Sequence, residues 1–334
     1  MERPGKLDIG IVGYGYAGQI HREALRHDER INKIAVVDPD WTQRAKASAE
    51  GLNAYEDLNQ LLDKRVDVVI VSIPPSCNLE TVRKITSHGS RPRAILIEKP
   101  LATVLSDAEA IQQSLAKTDI EAMVGLTGHG FHPEFRKAHE LIQAGAIGEI
   151  KSILENIHLG GPGLPPQYLS NAYGGIVLEN GIHTLDHLHY LSGQEGWRVV
   201  DAYVGNDQWQ GEEPDWGEAT LFNDGQVAHV SWLWPRLFEV GLEGYTVTLI
   251  GNRGRLKILG FDGIILNSRE GKLEEHFHDS STTFNARHIP GFIAEQKAFF
   301  DAIEKRRPQP VSVSYTVDLQ RQLDEVKQKA SEAK

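Results

Sequence analysis

A single cysteine, Cys77, is all that 334 residues contain, so no disulfide can close within the chain, as suits a reducing compartment. Long apolar runs are missing too: none approaches the roughly 18 residues of a membrane-spanning helix. The opening MERPGKLD leads into the first apolar stretch without the h-region of a secretory signal, and a cytoplasmic protein is expected. A basic excess is also absent. With 35 Lys and Arg against 46 Asp and Glu, the formal net charge is -11. That leaves no positive field for nucleic acid or an anionic membrane and favours a small-molecule substrate. No internal repeat or low-complexity segment interrupts the chain. The 40% hydrophobic and 24% charged fractions are those of an ordinary globular protein, and the length exceeds what one core usually supports, so two domains are expected.

Leu7 to Gly18, LDIGIVGYGYAG, reads as a buried strand running into Gly13-Tyr14-Gly15-Tyr16-Ala17-Gly18, with a helical pattern after it at Ile20, Ala24 and Leu25. Glycines at this spacing permit a tight turn, close approach of backbone to a pyrophosphate, and close packing of the next helix, whose N-terminus offers unpaired N–H groups to phosphate. Glycines alone are also compatible with a merely structural turn. The flanking strand and helix, with an acid further on at Asp38, favour a dinucleotide site. Asp38 ends the apolar run Ile34 to Val37, where a carboxylate accepts from ribose hydroxyls and repels a 2′-phosphate. NAD is therefore expected in preference to NADP, the rival being a plain turn residue in the Asp38-Pro39-Asp40 corner.

Trp41 to Glu50 and Tyr55 to Leu62 read as helices, and Val66 to Ser72 as a central strand, apolar throughout as a strand buried on both faces should be. Its exit, Ser72-Ile73-Pro74-Pro75, falls where a doubly wound sheet lines its cofactor crevice. A helix over Asn78 to Ser87, a strand over Ala94 to Ile97 and a sixth strand over Ile120 to Gly125 complete an alternation that predicts a parallel, doubly wound domain over residues 1–126. The strand from Ala94 finishes in Glu98-Lys99-Pro100. A partly desolvated ammonium at such a strand end can donate to a substrate hydroxyl and stabilise the oxyanion that forms as hydride leaves, although a strand-end lysine is often only a solvated charge.

Together these motifs resemble the glucose-fructose oxidoreductase and inositol dehydrogenase family, often called Gfo/Idh/MocA. Its pattern is GxGxxG, an acid after the second strand, Glu-Lys-Pro after the fifth and a later GGxxxDxGxHxxD, here Gly13-x-Gly15-x-x-Gly18, Asp38, Glu98-Lys99-Pro100 and Gly174 to Asp186. The resemblance implies an N-terminal Rossmann domain and, over residues 127–334, an α/β domain with a large, open, mainly antiparallel sheet that mediates homodimers or homotetramers. It further implies that Gly13 to Gly18, Asp38, Ser72, Ile73, Pro74, Glu98 and Lys99 border the cofactor. Hydride exchange with a sugar or polyol carbon is the implied activity, with Lys99 and His183 as a coupled pair and Glu179 beside them. The sequence departs from the pattern at Glu179, where the family usually has Asp. It departs again at Gly125-Leu126-Thr127-Gly128-His129-Gly130-Phe131-His132-Pro133, a glycine-rich replacement for Asn-Arg-Arg-Phe-x-Pro. The turn Pro75-Ser76-Cys77-Asn78 lacks a histidine often found there, and Ser90 to Arg93 is longer than usual. Family members include enzymes that oxidise and re-reduce one substrate with NAD retained, and a non-catalytic NAD-responsive regulator on the same fold is a third possibility.

In the second domain Phe135 to Ala144 reads as a helix and Glu149 to His158 as a long strand. Gly160 to Gly175 is expected to be irregular, with His158, Gln167 and Tyr168 as candidate substrate contacts. Ile176 to Ser192 is predicted as one helix, on which Glu179, His183 and Asp186 share a face; Asn180 belongs to the same candidate substrate group. Gly181 inside it costs up to about 1 kcal/mol relative to Ala, which points to a close neighbour, either a ligand or another element. His183, His187 and His189 cluster with two acids, but without HExxH spacing no metal is expected. His276-Phe277-His278 reads as a strand or strand edge whose two histidines share a solvated face, again with no metal expected. Six short strands follow between Trp197 and Leu266, with Trp232 and Trp234 as candidates for the sugar side or, more simply, the core. Ile289 to Lys305 and Val317 to Lys329 are predicted helices, the last of which could pack back on the first domain.

Overall fold

A computed structural model describes residues 6–159, 166–209, 211–235, 244–278 and 282–332. Two compact units are formed, Met1–Leu126 with Phe292–Val317, and Thr127–Gly291 with Asp318–Lys334. No described helix is long and apolar enough to cross a membrane.

The first unit holds six strands, β1 (Leu7–Val12), β2 (Ile31–Val37), β3 (Asn53–Tyr55), β4 (Val68–Val71), β5 (Ala94–Glu98) and β6 (Glu121–Gly125), in the order β3-β2-β1-β4-β5-β6. Every pair is parallel. This is the Rossmann order, with its reversal point between β1 and β4. All four residues of β4 are fully buried, which is why its sequence is Val-Val-Ile-Val rather than alternating. Helices α1 (Tyr16–Leu25), α2 (Trp41–Ala49), α3 (Leu58–Leu62), α4 (Asn78–Ser87) and α5 (Leu105–Leu115) connect the strands. The expected helix from Tyr55 is shorter and later. Asp57 and Gln60 form a capping box that starts α3 at Leu58, while Tyr55 ends edge strand β3 and accepts from the Asp38 N–H through its carbonyl. Helix α5 has no counterpart in the sequence reading.

The second unit is built on α6 (Pro133–Gln143), β7 (Ile150–His158), α7 (Gly175–Glu179), α8 (Gly181–Ser192), β8 (Arg198–Gly205), β9 (Trp216–Asn223), β10 (Gln226–Leu233), β11 (Tyr245–Gly251), β12 (Gly254–Leu259), β13 (Gly263–Ser268) and β14 (Gly271–His276). Its eight strands lie in the order β14-β13-β12-β11-β7-β10-β9-β8. All neighbours are antiparallel except β7 and β10. Helices α6, α7 and α8 pack on this sheet, over an apolar face that includes Ile153, Ile157, Val230 and Trp232. Both Trp232 and Trp234 are buried, and the Trp232 indole donates to the Thr184 hydroxyl at 2.9 Å, so Trp232 is a core residue. Strand β14 ends at His276, one of the residues that read from sequence as a strand or strand edge. Residues 160–165 of the expected irregular loop lie outside the described residues, and Pro166–Leu169 forms a short 3-10 turn. The last two helices, α9 (Phe284–Lys305) and α10 (Val313–Glu332), start earlier than expected. Each contributes to both units, so it is the segment Phe292–Val317, rather than the end of the chain, that belongs with the first.

Candidate functional site

In the first unit, the three glycines after β1 have three separate physical reasons. Gly13 has φ +90, and a Cβ there would collide with the Ser72 carbonyl. Gly18 lies so close to the Gly13 carbonyl that the helix could not carry a side chain at that point. A Cβ on Gly15, by contrast, would meet nothing within 4 Å. Tight turn, helix packing and an open approach are the features a pyrophosphate needs at the N-terminus of α1. The residues present therefore fit a dinucleotide.

Around the loop, Asp38 Oδ2 accepts from the Tyr14 N–H at 2.7 Å and Oδ1 from the Asp40 N–H at 2.9 Å. The acid at the end of β2 thus braces the glycine loop. The Tyr14 phenol donates to Glu50 at 2.9 Å and is fully buried; burial, then the Glu50 carboxylate, pushes its pKa up. Tyr14 consequently offers the cofactor only backbone, while Tyr16 is exposed and Ala17 is half-buried in the first turn of α1. The Ser72 hydroxyl donates to the Gly13 carbonyl at 2.8 Å, which ties the exit of β4 to the loop; Ile73 and Pro74 follow, half-buried. Arg44, six residues after Asp38, donates to the carbonyls of Asp38 and Pro39 at 2.8 Å, a cation beside Asp38 that the sequence reading overlooked.

At the end of β5 the neighbours Glu98 and Lys99 diverge. The Glu98 carboxylate meets the buried His21 ring at 2.7 Å. Lys99 is half-buried, its N–H donates to the Gly125 carbonyl at 3.2 Å, and the Lys99-Pro100 peptide is cis. Asn78, at the start of α4, donates to the Leu101 carbonyl at 3.0 Å and so holds the turn that carries Lys99. From sequence Asn78 reads as the start of a helix and the end of the Pro75-Ser76-Cys77-Asn78 turn, without this bracing role.

In the second unit, the expected single helix is broken. Asn180, at φ -100 and ψ -35, separates α7 from α8, so Glu179 ends one helix and His183 lies in the first turn of the next. Glu179, Asn180 and His183 are half-buried, whereas Asp186 is fully buried. Asp186 Oδ1 is 2.6 Å from His129 Nδ1. Burial opposes charge on His129, but the Asp186 carboxylate outweighs it and the pKa is raised. Below His183 the His187 ring lies 6.2 Å away, nearly parallel, and its Nδ1 is 2.8 Å from Glu155. A Cβ on Gly128 would sit 2.5 Å from His187 Nε2 and 3.3 Å from His183 Nδ1. This is a reason for glycine in the unusual segment before α6: the chain passes directly against both rings. His189 is buried as well, and burial lowers its pKa.

Gly181 is explained by packing, since a Cβ there would meet Leu323 at 2.7 Å and Trp232 at 3.5 Å. His158 points away from this region. Along β7, Glu155 and Ile157 face the helices, so His158 belongs to the opposite face, where its Nε2 lies 2.8 Å from the Ser231 hydroxyl. Tyr168 packs on Tyr173 at 4.9 Å and on Trp234 at 6.2 Å, and Gln167 is exposed. His276 is exposed as expected, but His278 is half-buried, 3.6 Å from the buried Glu134 carboxylate. Among the described residues, one set of potential metal ligands stands close together, His21, Glu98 and Glu295, with one atom from each within 4.8 Å of the others.

Residues 7–126 match the model of a family described as "Oxidoreductase family, NAD-binding Rossmann fold", and residues 135–257 that of the GFO/IDH/MocA C-terminal domain. Myo-inositol 2-dehydrogenase of Thermotoga maritima is 25% identical over 317 residues, 92% of this chain and 91% of that protein. The rhizopine catabolism protein MocA of Rhizobium meliloti is 26% identical over 191 residues, 57% of this chain and 58% of its own length. Among solved structures, an oxidoreductase from Agrobacterium radiobacter in complex with NAD+, L-tartaric acid and magnesium superposes with TM-score 0.84 at 17% identity, covering 98% of this chain and 97% of that one. A super-repressor mutant of Gal80p from Saccharomyces cerevisiae does so with TM-score 0.82 at 19% identity, over 98% and 97%. At these identities the structural likenesses speak for the fold alone.

Proposed function

The chain belongs to the GFO/IDH/MocA oxidoreductase family, and from that membership we propose that it exchanges hydride between NAD and a secondary or anomeric hydroxyl carbon of a sugar, sugar derivative or cyclitol. The observation that carries this reading is the placement of Lys99 at the carboxyl end of β5, in the same parallel sheet whose β1 and β2 ends present Gly13 to Gly18 and Asp38. Carboxyl ends of such strands are where a doubly wound sheet receives its ligands. The inositol dehydrogenase relative supports the substrate class.

NAD, when bound, supplies a nicotinamide carbon that accepts or returns hydride. Lys99 donates to the reacting oxygen and offsets its negative charge. His183 takes the hydroxyl proton, a role for which an imidazole suits neutral pH, and Glu179 and Asn180 orient a neighbouring hydroxyl. Preference for NAD over NADP rests on the Asp38 carboxylate.

Incubation with NAD and a panel of sugars, inositols and amino- or nucleotide-linked sugars, followed by NADH absorbance, tests the reading. Lys99→Ala and His183→Ala should each lower kcat by about 10²- to 10⁴-fold with NAD affinity nearly unchanged. Full activity in both variants sinks the assignment. Substrate turnover without free NADH would point instead to a cycle with retained NAD. If no substrate reduced bound NAD while a protein partner bound tightly, the regulator reading, for which the Gal80p likeness offers a common fold, would replace it.

A further inference from the structure

Tyr14 stands between two glycines, Gly13 at φ +90 and Gly15 at the N-cap of α1, where the backbone tolerates many orientations. The local chain therefore does little to fix how the Tyr14 peptide group is turned. Contacts from elsewhere fix it. The N–H donates to Asp38 Oδ2 at 2.7 Å, the carbonyl accepts from Gln19 Nε2 at 2.9 Å, and the phenol donates to Glu50 Oε2 at 2.9 Å. The ring between these groups is fully buried.

The phenol's partner is itself held. Glu50 is the C-cap of α2, its N–H bonding back to the Lys46 and Ala47 carbonyls, and its Oε2 also lies 3.2 Å from the Arg22 guanidinium on α1. At the other end of the same helix, Asp40 is the N-cap and its N–H donates to Asp38 Oδ1 at 2.9 Å. Tyr14 thus clasps α2 at both ends, the first through its backbone and Asp38, the last through its phenol and Glu50.

Phenylalanine would fill the same space but leave Glu50 to Arg22 alone, and the peptide would be free to turn between its glycines. The Asp38 main chain would stay in place, because its carbonyl is held by Arg44 and its N–H by the Tyr55 carbonyl. Its carboxylate would keep its charge and lose its fixed direction. Hydrogen bonds to ribose hydroxyls need both the place and the angle of that carboxylate, whereas repulsion of a 2′-phosphate falls off gradually with distance. Loss of direction therefore weakens NAD more than it alters NADP.

We propose that the Tyr14 phenol, with Glu50 and Arg22 behind it, is a positioning and specificity-determining group for the cofactor: it holds the Asp38 carboxylate where NAD is chosen over NADP, without touching either dinucleotide itself. This rests on the assignment of NAD to the glycine loop and not on the identity of the substrate.

Fluorescence titration of the full chain with NAD and with NADP, without any substrate, tests it. Tyr14→Phe should raise the NAD Kd about tenfold, the equivalent of one hydrogen bond to a charged group, and the NADP Kd by no more than about twofold. Glu50→Leu, at a partly exposed position outside the glycine loop, should do the same, and it carries the test even where Tyr14→Phe lowers stability. The double variant should bind no more weakly than either single one, since both break one bond. Glu50→Gln, which keeps an acceptor, should bind NAD within about twofold of wild type. Equal losses for the two dinucleotides, additive losses in the double variant, or an unchanged preference in Glu50→Leu overturn the inference and leave the NAD reading intact. A wild-type chain that binds neither dinucleotide, or binds both equally, overturns the NAD reading and this inference with it.

Discussion

Both oxygens of the Asp38 carboxylate are engaged by backbone N–H groups, Tyr14 on one and Asp40 on the other, so the residue that would select the ribose also braces the glycine loop. Asp38→Ala should therefore act twice. It should weaken NAD and, with the repulsive charge gone and Arg44 nearby, bring NADP to within about threefold of NAD, where the wild type should favour NAD at least about tenfold. Fluorescence titration with both cofactors checks this, and equal affinities in the wild type would reverse the assignment. At Glu134, burial raises the carboxyl pKa to about 8. A pKa raised on folding means that the native state holds a proton the unfolded state has released, so stability is full below the unfolded value and falls as pH rises towards 8, by up to about 1.4 kcal/mol per pH unit. Glu134→Gln should remove that loss: its denaturation midpoint relative to wild type should be higher at pH 9 than at pH 5, and an equal difference at both would count against the account.

Helices α7 and α8 show how an element can be continuous in sequence pattern and broken in space. Apolar spacing runs through Asn180 without interruption, yet the break there puts Glu179 and His183 on different helices. Downstream, α8 is buried on nearly every side, its polar residues being absorbed by specific partners: Thr184 by Trp232, Asp186 by His129, His187 by Glu155. The segment before α6 is fitted against those rings. Gly128→Ala would place a methyl 2.5 Å from His187 Nε2, and because that ring is held by Glu155 it cannot simply swing aside. We expect a loss of about 1–3 kcal/mol, the usual cost of overpacking, and a fall in activity through displaced His183. Thermal denaturation and kcat measured together decide it; a variant with wild-type stability and rate would show that the contact yields freely.

For the molecule as a whole, the eight-stranded sheet has one face under helices and another that bears Leu154, Tyr203, Phe222 and Ile250, each more than a third exposed. Register places Leu154 opposite His229 and Thr248, and Tyr203 opposite Glu218, so these side chains share the outer face. Apolar side chains spread over one open sheet face fit a second copy of the chain better than bulk water. We propose that this face joins copies of the chain, so that light scattering should give a dimer or tetramer for the wild type and a monomer for Leu154→Lys combined with Tyr203→Lys, with NAD affinity retained; a monomeric wild type would dispose of the idea.

The sequence by itself was sufficient for the parallel alternation, the glycine loop, Asp38 and the Glu98-Lys99-Pro100 turn, because each is a local signal: a run of apolar residues that must be buried on both faces, or a backbone conformation that few residue types can adopt. The second sheet was also largely legible from its short strands and tight turns. What only the tertiary structure decided depends on which side chains meet across long separations. It turned Asp186 towards His129 and Glu98 towards His21, put His158 on the outer face of β7, explained Gly181 by Leu323, and set the Glu295 carboxyl of α9 against the Leu126 N–H. Periodicity names the face on which a residue lies, but the partner on that face comes from another part of the chain, and burial of a charge is settled only when that partner is in place.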